Sequence, residues 1–196
     1  KRLYMKSRHL LALLSALSCT LAEASETGRH FSYVEAAYAY QSTDWGPFEE
    51  EKNATFLASG EAFEYVHAHV RYNDGDTYMP RGVIQDGWWT YGIGAHYYLS
   101  PTTSVLIGAD RHEMESQSNR RIQRGWEYKV GIRHDFNEKW RATLEIGEHN
   151  LIVGDDSTFI VEAIYHPIKA LGLTFRVRDY DKLDLSSYEL GARWSY

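Results

Sequence analysis

The chain has 196 residues, of which 43% are hydrophobic and 24% charged, and it carries a formal net charge of −6 at pH 7. This composition excludes a disordered or fibrous chain and fits one domain of ordinary size. The acidic balance argues against a nucleic-acid partner, because phosphate binding rewards a basic surface.

The first 24 residues contain the three parts of a secretory signal peptide in order. A basic region with Lys6 and Arg8 precedes the apolar stretch "LLALLSAL", and "AEA" at 22–24 supplies small residues at a cleavage site. We therefore predict a signal peptide over 1–24, with 1–4 as an extension upstream of Met5, and a mature domain over 25–196. The single cysteine, Cys19, lies in the signal, so the mature domain needs no disulfide.

From residue 31 onward, hydrophobic and polar residues alternate with a period of two, which predicts β-strands. Most of the segments hold about ten residues, the length that crosses a bilayer when a strand is tilted. No later stretch approaches the ~18 uninterrupted apolar residues of a transmembrane helix. The ten predicted strands are 31–41, 54–63, 66–73, 87–99, 103–114, 125–136, 139–149, 157–166, 170–180 and 187–196.

The connections between these strands alternate in length. Short ones, such as "SPTT", "NEK" and "HPIK", alternate with the longer segments 42–53, 73–86, 115–124, 151–157 and 181–187. Outer-membrane barrels have short periplasmic turns and longer surface loops in this alternation. The sequence therefore predicts an all-β fold, an antiparallel up-and-down transmembrane barrel of ten strands, with eight strands as the alternative.

The two faces of the predicted strands differ in composition. One face is apolar, and the other carries charges together with glycines 92, 94, 108, 131, 147, 172 and 191. In a narrow lumen such glycines make room for long charged side chains and let the sheet curve. We therefore predict that the apolar face meets lipid and that the charges line the lumen. The predicted lumenal charges are Glu35, Arg71, Asp110, Lys129, Arg133, Arg141, Glu145, Glu162, Arg176, Arg178, Glu189 and Arg193.

Aromatic residues on the apolar face collect near the strand ends, as in the two aromatic belts of a membrane barrel. The predicted belt at the loop ends comprises Tyr38, Tyr40, Trp89, Tyr91, Trp126 and Phe159. The predicted belt at the turn ends comprises Tyr97, Trp140, Tyr165, Trp194 and Tyr196.

The last eight residues, "ELGARWSY", combine a polar residue, a glycine and two aromatics at Glu189, Gly191, Trp194 and Tyr196. This pattern resembles the C-terminal signal that the bacterial barrel-assembly machinery recognises. The runs "FSYVEAAYAY", "VHAHVRYNDGD", "TYGIGAHYYLSPTTSVLIGAD" and "YELGARWSY" together resemble the small OmpA-like or porin-like outer-membrane barrels of Gram-negative bacteria. The resemblance implies a location in the bacterial outer membrane. It also implies contact with membrane lipid and lipopolysaccharide, assembly by that machinery, and no cofactor.

Two functions follow from the predicted lumen. Paired acids and bases would fill a narrow barrel, which favours a structural or surface-interaction role. The alternative is a narrow porin-like channel for small solutes or ions, whose selectivity the same charges would set.

Enzymatic and metal-binding roles have weaker support. His67, His69 and His96 are candidate metal ligands, but without a cysteine or a clear carboxylate partner their spacing assigns no metal site. A third candidate function is an omptin-like surface hydrolase. Omptins use an Asp pair opposite an Asp–His pair, which here would be Asp74 and Asp76 opposite Asp110 and His112. Since "NDGD" is also a common turn sequence, we expect no enzyme.

Overall fold

A computed structural model describes residues 31–43, 51–79, 83–116, 122–151, 154–182 and 185–196. The predicted signal peptide lies outside the described residues, together with residues 25–30 and parts of the longer connections. In the described part of the chain, no helix is long and apolar enough to cross a bilayer.

Ten antiparallel strands form one closed barrel, in which each strand pairs with its neighbours in sequence and the last pairs with the first. The predicted fold class and the strand count of ten are confirmed. The strands are β1 (Tyr33–Thr43), β2 (Glu51–Phe63), β3 (Val66–Met79), β4 (Val83–Ser100), β5 (Thr103–Ser116), β6 (Ile122–Asp135), β7 (Trp140–Leu151), β8 (Gly154–Ile168), β9 (Leu171–Tyr180) and β10 (Leu185–Ser195).

The predicted long connections are wrong in extent, because the strands continue into them. The segment 73–86 was predicted as a loop, yet β3 runs to Met79 and β4 begins at Val83. At the other end of the barrel, β8 runs to Ile168, beyond its predicted end at 166. Polar residues above the apolar band continue the ladder, since paired strands satisfy their backbone groups in water as well as in lipid.

The barrel has an apolar exterior and a charged interior, as the sequence predicts. On β10, Leu190 is 67% exposed, whereas its neighbour Glu189 is 3% exposed. Successive side chains of a strand point to opposite faces, so this contrast repeats around the barrel. The exterior meets the acyl chains, while the long charged side chains occupy the lumen.

The lumen holds three layers of side chains. At the end with the longer connections, Trp88, Met114, Tyr180 and Leu185 form a buried apolar cluster. Ion pairs fill the middle, and Phe31 lies buried near the end that carries the short turns. We call these the loop end and the turn end of the barrel.

One glycine shows how closely the lumenal side chains pack. A Cβ atom at Gly92 would collide with the His69 ring and with Oδ1 of Asp110. At Gly108 the nearest atom to such a Cβ lies 3.6 Å away, so that position has space. Gly92 therefore gives room to the charged side chains of the neighbouring strands.

Candidate functional site in the barrel lumen

Arg176 lies at the centre of the ion pairs in the middle layer. Its Nη2 lies 3.1 Å from Oε1 of Glu35 and also contacts Glu162, and its Nη1 donates to Oε2 of Glu189 at 2.7 Å. Each of these four residues is at most 7% exposed. One guanidinium thus neutralises carboxylates from three other strands, in a fork geometry that suits arginine.

Two further arginines complete this arrangement. Nη2 of Arg193 lies 2.6 Å from Oε2 of Glu35 and 2.7 Å from Oε2 of Glu162, and Arg71 contacts Glu189. Three positive and three negative charges therefore balance. We call this set the arginine–glutamate network, and its members are Glu35, Arg71, Glu162, Arg176, Glu189 and Arg193.

The opposite wall of the lumen carries a second group of charges. Nζ of Lys129 lies 2.6 Å from Oδ2 of Asp110, and Nε2 of His69 lies 3.1 Å from Oδ1 of the same carboxylate. Arg178 lies 3.8 Å from Glu127, a buried acid that the sequence analysis missed. Glu127 was detectable in principle, because it shares the face of Lys129, two positions along β6.

Titratable side chains follow one row across the strands. Directly paired positions run from Tyr33 through Ser59, His69, Gly92, Asp110, Glu127 and His149 to Asp156. Because barrel strands are tilted to the axis, a row across them also climbs the wall. This one rises from the turn end at Tyr33 to the loop end at Asp156. Histidine and carboxylate groups therefore occur at several depths of the lumen.

The structure does not bring the two predicted catalytic pairs together. Asp110 and His112 are both 1% exposed inside the lumen, whereas Asp74 is exposed, and Tyr72 donates a hydrogen bond to it at 3.1 Å. For Asp76 only the backbone is described, which pairs with Asp86. The barrel wall separates Asp74 from the Asp110–His112 pair, so the omptin-like arrangement of these residues is not formed.

Both ring nitrogens of His112 are engaged. Nε1 of Trp88 donates to Nδ1 of His112 at 3.0 Å, and Nε2 of His112 lies 3.1 Å from Oε2 of Glu127. Because Nδ1 accepts a hydrogen bond, Nε2 carries the proton of the neutral ring and donates it to Glu127. His112 therefore has no free nitrogen with which to act as a base.

The tautomer of His112 also determines whether this residue can bind a metal ion. In the described part of the chain, Asp110, His112 and Glu127 form one compact group whose donor atoms lie within 4.8 Å of one another. A metal ion binds the unprotonated nitrogen of a neutral histidine. In His112 that nitrogen is Nδ1, which already accepts the hydrogen bond from Trp88. Lys129 also neutralises Asp110. The residues present therefore do not fit a divalent cation.

The three histidines considered as metal ligands do not form such a compact group of donor atoms in the described part of the chain. The ring of His67 lies 6.1 Å from the rings of His69 and of His96, centroid to centroid. Phe31 stacks on His67 at 4.6 Å and on His96 at 3.9 Å. His67 and His96 therefore bind a phenyl ring in this structure.

Arg133 completes the turn-end layer. Its Cζ lies 4.1 Å above the Phe31 ring, and its buried Nε has no hydrogen-bond partner. Phe31, His67, His96 and Arg133 together form what we call the Phe31 plug. Its phenyl ring was missed in the sequence, although the two-residue alternation places Phe31 on the same face as Glu35.

A cavity of about 100 Å³ remains within the lumen. It borders the arginine–glutamate network on one side and the Phe31 plug at the turn end. Its lining includes Arg71, Lys129, Arg133, Glu145, Arg176 and Arg178. Two of its arginines, Arg133 and Arg178, keep a buried Nε without a hydrogen-bond partner. The remaining predicted lumenal charge, Arg141, pairs with Asp135 at 2.5 Å near the turn end.

No family model and no curated protein matches this sequence. Solved structures do match its fold. The NanC porin superimposes with a TM-score of 0.56 at 7% identity, over 83% of this chain and 100% of that one. This chain has the fold of a small outer-membrane β-barrel. That fold and the apolar exterior confirm the predicted location in the bacterial outer membrane, in contact with membrane lipid.

Two further outer-membrane proteins share the barrel. The KdgM porin in complex with disordered oligogalacturonate matches with a TM-score of 0.51 at 12% identity, over 83% of this chain and 99% of that one. An outer-membrane channel from Pseudomonas putida F1 matches with a TM-score of 0.52 at 7% identity, over 89% of this chain and 100% of that one. The barrel of this chain therefore spans nearly the full length of proteins named as porins and channels.

Proposed function

We propose that this outer-membrane barrel is a narrow porin-like channel for small solutes or ions. The observation that carries the proposal is the polar cavity of about 100 Å³ in the lumen, which Arg133 lines together with other charged side chains. Charged side chains that line such a cavity can set the selectivity for a passing solute. The likeness in fold to two porins and a channel, each over nearly its whole length, supports the same function.

A second candidate is the structural or surface-interaction role. It is favoured by the arginine–glutamate network and by the apolar cluster of Trp88, Met114, Tyr180 and Leu185, which occupy much of the lumen. We propose a structural rather than a catalytic role for Asp110 and His112. The hydrogen bonds of His112 to Trp88 and Glu127 support this assignment.

Conductance of the purified protein in planar lipid bilayers tests the channel. We expect unitary current steps, with a reversal potential in a salt gradient that shifts towards cation preference in Arg133→Gln, because this change removes a lumenal positive charge. Arg124→Gln is the matched control, since its side chain is 53% exposed and pairs outside the lumen with Glu113. A barrel that gives no steps, in the wild type and in Phe31→Ala alike, would favour the structural role.

A further inference from the structure

The segment before β1 places one aromatic ring inside the turn end of the lumen. Phe31 is 2% exposed, although it lies two residues outside the first strand. Imidazole rings stack on it from β3 and β4, and a guanidinium lies over it from β6. Four chain segments therefore converge on this phenyl ring, which blocks the lumen beside the cavity.

In the described part of the chain, one hydrogen bond joins Phe31 itself to the barrel, and two more join the next residue, Ser32. The backbone N–H of Phe31 donates to Oε1 of Glu61 at 3.2 Å. The barrel ladder begins after it, with Tyr33 paired to Ser195 and to Ser59. Phe31 can consequently leave the lumen while the pairing of β1 with β2 and β10 stays intact.

Two of the groups that stack on this ring change charge with pH. Neither ring nitrogen of His96 has a hydrogen-bond partner, and Nδ1 of His67 has none. A desolvated imidazole beside a guanidinium is neutral at pH 7, because burial and the neighbouring positive charge both disfavour its charged form. Protonation of His67 and His96 would place two new positive charges next to Arg133, around a single phenyl ring.

The groups around His67 and His96 also favour release of Phe31 in acid. Lys129 adds positive charge in the same part of the lumen as His67. Glu61 is the acid paired with His67 across β2, and its protonation would weaken the bond to the Phe31 N–H. In the turn, a hydrogen bond with Glu64 raises the pKa of Tyr65, so this phenol stays neutral in acid. On β4, Tyr98 contacts His96 edge-on and is likewise uncharged.

We infer that the Phe31 plug is a pH-sensitive gate, which closes the turn end while His67 and His96 are neutral and opens when acid charges them. Three cations would then lie side by side around the phenyl ring, and the gain in hydration when they separate breaks the stack that holds Phe31 in the lumen. This inference rests on the proposed channel function. It adds to that function a closed resting state and a condition for opening.

Bilayer conductance measured from about pH 7.5 to about pH 3 tests the gate, because burial disfavours the charged imidazoles and acid beyond the ordinary histidine range is needed to form them. We expect a several-fold rise in the wild type on acidification. Phe31→Ala should conduct at both extremes, and the double variant His67→Gln, His96→Gln should lose the rise. His134→Gln is the matched control, because His134 faces outward and bonds to Thr103 instead.

Fluorine NMR in detergent micelles separates this gate from the channel function. Phenylalanine fluorinated on the ring reports each phenyl group, and Phe31→Leu assigns the signal of Phe31. We expect that signal to become accessible to a water-soluble paramagnetic reagent in acid, and to stay protected in the double histidine variant. A pH response that is unchanged in the double variant would overturn the gate. Barrels that never conduct, while this signal still becomes accessible, would overturn the channel but keep the pH-driven movement.

Discussion

At the scale of single residues, the lumen is organised by charges that face each other across neighbouring strands. Glu35 lies directly opposite Arg193, and Arg176 lies opposite Glu189 on one side and Glu162 on the other. Opposite charges at directly paired positions stabilise one register of a sheet. A slip by one residue would move these charged side chains to the outer face, where they would meet lipid. The network therefore specifies strand pairing as well as filling the barrel.

Replacing Arg176 should be the most damaging single change in the network. In Arg176→Met three buried carboxylates lose their shared partner, so we expect the free energy of unfolding to fall by about 3–5 kcal/mol. The measurement is urea unfolding in lipid vesicles, followed by tryptophan fluorescence. Arg124→Ala removes an exposed pair with Glu113 and should cost less than about 1 kcal/mol. Equal losses in the two variants would contradict the structural importance of the network.

The sequence predicted the network's members but not their partners. The alternation of each strand put all six charged residues on the lumenal face. Which acid meets which base depends on the register between strands that are distant in sequence, such as β1 and β10. The alternation places Phe31 and Glu127 on the lumenal face, but it does not show what either side chain contacts there.

At the scale of strands, the seam between β1 and β10 closes the barrel. Eleven residue pairs join them, from Tyr33 with Ser195 to Thr43 with Leu185. A membrane barrel needs this seam, since an unpaired edge would leave backbone groups unsatisfied in hydrocarbon. Of the aromatics in the predicted assembly signal, Trp194 faces lipid and is 51% exposed, so it is accessible from outside the barrel.

Removing the two aromatics of the predicted signal should impair assembly in cells more than folding in vitro. We expect Trp194→Ala with Tyr196→Ala to lower the fraction of heat-modifiable barrel in the outer membrane several-fold. Refolding of the purified variant into detergent should change little, because these rings lie outside the lumenal core. Trp140→Ala is the control, since Trp140 is 49% exposed at the same end of the barrel. A similar loss with Trp140→Ala would show a general need for belt aromatics instead.

At the scale of the whole molecule, the apolar surface faces outward, which is the reverse of a water-soluble barrel. Large apolar side chains such as Ile107, Ile146 and Leu190 are 59–67% exposed, while arginines and glutamates are buried inside. This distribution is stable only where hydrocarbon surrounds the barrel.

Arginine substitutions at two depths of the lipid-facing surface test this orientation. Ile107 lies in mid-strand on the exterior, so Ile107→Arg should destabilise the barrel in lipid vesicles by about 2–4 kcal/mol. Phe63 is 75% exposed next to the turn after β2, where headgroups and water are close, so Phe63→Arg should cost about 0–1 kcal/mol. Urea unfolding in vesicles measures both. Equal costs at the two positions would contradict a membrane-spanning exterior.

The sequence alone determined the barrel class and the face that meets lipid, and it favoured ten strands over eight. These properties follow from local patterns, because alternation, strand length and the placement of glycines can be read within one strand. The sequence did not determine where the strands end above the apolar band, because polar residues there are equally compatible with a loop and with a paired hairpin.

Only the tertiary structure decided the state of the lumen. The tautomer of His112, the stacking of Arg133 on Phe31 and the position of Phe31 between two histidines depend on contacts among strands far apart in sequence. Register and barrel closure bring these groups together, and neither is encoded in a short stretch of chain. For that reason the sequence could place charges in the lumen, whereas the fold was needed to show which are paired, which remain free and what blocks the passage.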